Sequence, residues 1–169
     1  MINPSSWVIK ILDDFNHCYT LIDIACGQGR HVKKLYKKFK ITAVDNNIDE
    51  LEKLKKLKNV EVINQDLEDG SNWLFSDRKF DVVLVTNYLF RKKIKKLFQL
   101  VNDNGLILYE TFAVGNEKFG KPNNPNYLLK ENELLNLKPD NFMVVDYFHG
   151  EVELPKPALI QRLAAIKKN

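Results

Sequence analysis

Residues Tyr19-Thr-Leu-Ile-Asp-Ile-Ala-Cys-Gly-Gln-Gly29 decide the fold class of this 169-residue chain. Up to Ala25 the run is short, apolar and β-branched, which predicts a buried strand. Cys26-Gly27-Gln28-Gly29 then ends it, and glycines let a backbone turn tightly and come close to a ligand. Beyond the turn, Val32, Leu35, Tyr36 and Phe39 recur at helical spacing, with Lys33, Lys34, Lys37 and Lys38 on the other side. That is an amphipathic helix whose first N–H groups are free to meet a ligand.

The same alternation extends outward in both directions. Trp7, Val8, Ile11, Leu12 and Phe15 follow the start signal Pro4-Ser5-Ser6 and predict an N-terminal helix. Strands are expected at 41–44, 60–63, 80–85 and 106–109. Helices are expected around Leu51–Leu57 and around Ile94–Val101, the latter stopped by Asp103-Asn104-Gly105. Residues 67–79 read as an irregular segment holding Trp73, Leu74 and Phe75 against the fold. A loop at 113–127, a helix near 128–137 and two strand-like runs near 142–149 and 158–166 complete the order. The last two runs have no helix between them and read as a hairpin. Strand and helix in alternation predict an α/β fold: a doubly wound, Rossmann-like seven-stranded sheet. It is mostly parallel with an antiparallel last strand, and helices cover both faces. The length predicts one domain over 1–169.

Composition narrows the class. Hydrophobic residues make up 44% and charged residues 28%, which suits a globular chain rather than a disordered one. No apolar run exceeds four residues, so no membrane span is expected. The start lacks a basic stretch followed by an apolar one, so no signal peptide is expected. Cys18 and Cys26 are too few for a disulfide framework or a four-cysteine zinc site, and no metal is expected. A reduced, cytoplasmic protein is the expectation. The net charge of +4 comes from 22 Lys and only 4 Arg against the acids. Specific nucleic-acid readers favour Arg forks, so this charge reads first as solvated lysine-rich helix faces.

In open α/β sheets, ligands gather at the carboxyl ends of the strands, and acids stand there. Asp23 lies four residues before Gly27. Asp45 ends the second strand, where a carboxylate with both oxygens free could accept hydrogen bonds from a ribose diol. Asp66 ends the third, where it could take the exocyclic amine of adenine while the N–H of Leu67 donates to the ring. A dinucleotide-binding turn, G-x-G-x-x-G, would need glycine where Val32 stands.

With Asp-x-Ala-Cys-Gly-x-Gly at 23–29, acids at 45 and 66, the apolar strand 80–85 and the closing hairpin, the chain resembles the class I S-adenosylmethionine-dependent methyltransferases. Its small size is similar to that of bacterial tellurite-resistance-type members. The resemblance implies S-adenosylmethionine as cofactor, with Asp23 at its amino group, Asp45 at the ribose and Asp66 at the adenine. It extends the contacting set to Ala25, Cys26, Gly27, Gly29 and Arg30, to Asn46, Gln65 and Leu67, and to Thr86 and Asn87. Transfer would be an in-line displacement at an activated methyl, governed by alignment and exclusion of water. No nucleophilic side chain is required. Cys26 therefore reads as a small packing residue, and His17 and His31 as structural or surface residues.

Acceptor contacts are expected after the fourth and fifth strands. Thr86-Asn87-Tyr88-Leu89-Phe90-Arg91 lacks the two prolines of the motif carried by enzymes that methylate exocyclic base amines. The cysteine pair of cytosine-C5 RNA enzymes is absent too. Tyr88 is a candidate pocket wall, and Arg91 either a ligand for an anionic acceptor or a structural ion pair. Glu110 and Thr111 are expected at the base of the 113–127 segment, read as a lid carrying Phe119 over the acceptor. His149 is the last candidate. The acceptor is expected to be a small molecule. An RNA methyltransferase using the lysine-rich helices, and a non-catalytic cofactor-binding module, are the rival readings.

Overall fold

β1 (Thr20–Ile24) pairs in parallel with β2 (Lys40–Asp45) on one side and β4 (Phe80–Thr86) on the other. The structure is a computed structural model that describes residues 3–15 and 19–169; His17 and Cys18 lie outside the described residues. The other strands are β3 (Val60–Asn64), β5 (Val101–Phe112), β6 (Phe142–Val152) and β7 (Ala158–Lys167). They lie in the order β3-β2-β1-β4-β5-β7-β6. The first five run parallel, and β7 is antiparallel to both of its neighbours. Among the described residues, five α-helices flank the sheet: α1 (Ser6–Asp14), α2 (Arg30–Leu35), α3 (Ile48–Leu54), α4 (Ile94–Gln99) and α5 (Glu133–Leu137).

Strand pleating explains why these runs read as continuous rather than alternating. Successive side chains point to opposite faces, and here helices cover both faces, so the central strands are mostly apolar, with Asp23 of β1 and Thr42 of β2 as buried polar positions. Leu21, Val82, Leu84, Leu106 and Leu108 pack on one side with Val8 and Leu12 of α1, Val32 of α2 and Leu51 of α3. Ile22, Ile24, Val83, Val85 and Ile107 pack on the other with Leu97 and Phe98 of α4 and Leu134 of α5. Each such fully buried side chain contributes roughly 1.5–3 kcal/mol relative to exposure.

Three expectations are corrected. α4 ends at Gln99, and Val101 already pairs with Phe80 in β5. Asn102 to Gly105 do not stop a helix; they form an irregular start to the strand, held where Asn102 Nδ2 donates to Asp81 Oδ1 at 2.8 Å. Residues 128–130 are extended rather than helical, because Leu129 bonds back to Phe112 and Val114 along the end of β5. α5 is accordingly limited to Glu133–Leu137. In the 67–79 segment, Trp73 and Phe75 are buried and stacked at 5.3 Å, but Leu74 is exposed.

From β1 the chain crosses to β2 and β3 on one side and to β4 and β5 on the other. The reversal leaves a crevice beyond the tips of β1 and β4, which is where the glycine loop and Thr86-Asn87 sit.

Candidate functional site

The loop after β1 is built from left-handed backbone. Ala25, Gly27 and Gly29 have φ of +55°, +54° and +67°. The two glycines are needed for different reasons. A Cβ on Gly29 would collide with the isopropyl end of Leu54, so this glycine lets α2 settle against α3. A Cβ on Gly27 would meet nothing within 4 Å, so that position opens onto empty space at the crevice.

Asp45 at the tip of β2 fastens this loop. Its Oδ2 accepts the N–H of Gly27 at 2.7 Å and its Oδ1 that of Asn47 at 3.0 Å. The carboxylate is therefore not free, as the ribose reading supposed; each oxygen keeps one further lone-pair direction for a ligand.

Asp23 is 1% exposed, and among the described residues neither carboxylate oxygen has a hydrogen-bond partner. Burial pushes its pKa up to about 7, with Arg30 pulling the other way and the Asp45 charge adding to the rise. A buried carboxylate without donors is costly unless a ligand supplies them, and a cationic N–H group is the partner that suits it. Cys26 is buried beside it. Burial, then the charges of Asp23 and Asp45, push its thiol pKa upward, which keeps it protonated and unsuited to attack.

Three cavities adjoin at this end of the sheet. One of about 160 Å³ is lined by Ala25, Asp45, Asn46, Asp66, Leu67 and Tyr88, together with Gln65 and Glu68. Gln65 is committed elsewhere: its Oε1 accepts from Leu74 N–H and its Nε2 donates to the Asn72 carbonyl, which pins the 71–74 segment. A second cavity of about 380 Å³ lies over the loop, between Cys26, Gly27, Arg30, Thr86, Asn87 and the N-terminal Asn3-Pro4. Ala25 is common to both. A third, of about 450 Å³, shares Asn3, Pro4, Arg30 and Asn87 with the second and reaches to Glu110.

The third cavity is enclosed by segments the sequence reading did not select. Residues 3–6 cross one side, and the tip of the β6–β7 hairpin, Val152 to Ala158, forms the other. Ser5 secures the first: its N–H donates to His31 Nε2 at 3.1 Å and its hydroxyl to Glu110 Oε2 at 3.0 Å. Burial and the neighbouring Arg30 push the His31 pKa down to about 3, so the ring stays neutral and able to accept. Arg162 on β7 donates Nε to the same Glu110 oxygen at 2.6 Å and lies over the rings of Trp7 and Phe148. Only the pairing of Glu110 with Arg162 across β5 and β7 brings the two charges together, and local sequence carries no sign of it.

The remaining candidates are placed elsewhere. Arg91 does not face a ligand. Nε and Nη2 donate to the Glu133 carboxylate at 2.6 and 2.9 Å, and Nη1 and Nη2 donate to the carbonyls of Asn126 and Leu128. It is the structural ion pair of the two alternatives. Phe119 is not among the residues lining the three cavities; its 113–127 segment is fastened to β7 where Asn116 Oδ1 accepts the Leu159 N–H. The cover over the cavity next to Glu110 comes instead from the two segments above. His149 is exposed on the outer strand β6, opposite Gln161.

Comparison with known proteins agrees with this geometry. The family model described as "Methyltransferase domain" matches residues 21–105. No curated protein matches the chain by sequence. Among solved structures, the chain is similar to TehB from Haemophilus influenzae at 17% identity and a TM-score of 0.77, over 98% of this chain but 63% of that one. It is similar to the N-methyltransferase NodS from Bradyrhizobium japonicum WM9, at 10% identity and a TM-score of 0.72, over 97% of this chain and 94% of that one. Magnesium protoporphyrin IX methyltransferase (ChlM) from Synechocystis PCC 6803, solved with bound SAH, gives 16% identity and a TM-score of 0.71, over 96% and 81%.

Proposed function

Because the chain belongs to the methyltransferase domain family, we propose that it transfers a methyl group from S-adenosylmethionine to a small-molecule acceptor seated beside Glu110. The observation that carries the reading is the orphaned carboxylate of Asp23 beneath a glycine loop, which suits the ammonium of the cofactor's methionine portion. When bound, the cofactor supplies a methyl group already activated on a sulfonium. The chain's residues then need only hold the partners in line and keep water out.

Their roles follow from their positions. Asp45 keeps the loop closed through Gly27 and accepts from the ribose with its remaining lone pairs. Asp66 and Leu67 face the adenine edge. Asn87, common to the loop cavity and its larger neighbour, stands where donor and acceptor meet. Glu110, held by Ser5 and Arg162, presents a fixed acceptor oxygen to the substrate's N–H or O–H. A chamber enclosed by residues 3–6 and a hairpin suits a small molecule better than a polynucleotide, whose binding needs an open, charged track.

The test is incubation of the chain with S-adenosylmethionine and fractionated metabolite pools, followed by mass spectrometry. The expected result is a product heavier by one methylene, with S-adenosylhomocysteine formed in equal amount. Methylation of RNA alone, or no methylated product beside tight cofactor binding, would replace this reading with one of its rivals.

A further inference from the structure

The cavity beside Glu110 also carries a signature of what it takes. One part of its wall is apolar: Phe112 and Ile160 from the strands, and Val152 and Leu154 from the hairpin. Leu154 is 80% exposed at the rim. The charges lining it are unequal. Glu110 and Arg162 neutralise each other at 2.6 Å. Arg30 and Lys156 also line the cavity. Among the described residues neither has a carboxylate within salt-bridge distance. The one hydrogen bond of the Arg30 guanidinium is Nη1 to the Asn3 carbonyl at 3.3 Å, so most of its donors remain available.

Resting on the methyltransferase reading above, we propose that the acceptor is a small amphipathic anion. It would have an apolar body of aryl or alkyl type against Phe112, Leu154 and Ile160, and a carboxylate-like group bound by Arg30 and Lys156. A site lined by two cations with no carboxylate at salt-bridge distance disfavours a cationic molecule and gains charge-assisted hydrogen bonds from an oxyanion. The guanidinium fork of Arg30 matches a planar carboxylate.

The experiment is calorimetric titration of the chain, first with S-adenosylhomocysteine and then, in the loaded state, with 3-phenylpropanoate, 3-phenylpropanamide and 3-phenylpropylamine. The carboxylate is expected to bind about tenfold more tightly than the amide, the worth of one charge-assisted bond over a neutral one, and the amine most weakly. Lys156→Glu should erase most of that preference while leaving S-adenosylhomocysteine affinity and melting temperature unchanged. Loaded protein that binds the amide or amine as well as the carboxylate, binds none of the three, or keeps its preference in Lys156→Glu overturns the inference and leaves the methyltransferase reading standing. Failure to bind S-adenosylhomocysteine at all overturns that reading, and this one with it.

Discussion

The N–H of Gly27 donates to Asp45 Oδ2 at 2.7 Å, so the carboxylate proposed to meet the cofactor ribose also holds the glycine loop against β2. Binding and local structure are thus joined in one side chain. Asp45→Ala should weaken S-adenosylhomocysteine binding and also destabilise the free protein. Hydrogen bonds to a charged group contribute roughly 1.5–3 kcal/mol each, and partial exposure reduces this, so a loss of about 1–3 kcal/mol in stability is expected. Thermal melts of the free and ligand-bound protein check it. An unchanged melting temperature in the free form would show that the loop holds itself.

The two glycines of the loop should fail in different ways. Gly29→Ala places a methyl into Leu54 at a left-handed φ and should cost about 1–3 kcal/mol of folding stability. Gly27→Ala meets no neighbour, so only the backbone strain of about 1–2 kcal/mol applies. Its methyl group would occupy ligand space, and cofactor affinity should fall by more than the stability loss explains. Denaturant titration beside calorimetry separates the two.

Asp23 predicts a pH dependence with a definite sign. Its pKa rises from an ordinary 3.8 to about 7 through burial. Between those values the folded chain holds a proton here that the unfolded chain has lost. This group's contribution to stability is therefore full below pH 3.8 and is lost as pH rises toward 7. Asp23→Asn should match the parent near pH 4 and exceed it above pH 7, by at most on the order of 4 kcal/mol. Because the cofactor's ammonium favours the ionised carboxylate, S-adenosylhomocysteine binding at pH 6 should expel about one proton in the parent and none at this site in the variant. Titrations in buffers of different ionisation enthalpy measure it.

Glu110 and Arg162 form the most buried ion pair among the described residues, with side chains 8% and 19% exposed. Removing one partner strands the other. Arg162→Met should cost about 3–5 kcal/mol, and adding Glu110→Gln should recover part of it. Denaturant unfolding of the single and double variants tests this coupling. Additive losses would mean that Arg162 acts through its stacking on Trp7 and Phe148 alone.

Arg91→Met should lower the melting temperature by freeing the 126–133 segment, with the Michaelis constants for cofactor and acceptor little changed. A selective rise in acceptor KM at constant stability would return Arg91 to the substrate site.

The alternation of short continuous apolar runs with period-3.6 stripes was readable in the sequence, because the central strands bury both faces and each helix one stripe. From that followed the parallel sheet, its closing antiparallel strand and the placing of Asp23, Gly27, Asp45 and Asp66 at strand tips. Such features depend on neighbours within a few residues. What local pattern could not reveal was which distant segments meet. Ser5 reaches Glu110 across 105 positions, and Arg162 reaches it across 52. The insertion of β7 between β5 and β6 brings the hairpin tip, not the 113–127 segment, to the cavity beside Glu110. The same dependence on long-range pairing turned Val101 from helix to strand and tied Arg91 to Glu133. An ion pair or a sheet register is a property of two segments at once, and either segment alone is compatible with many partners.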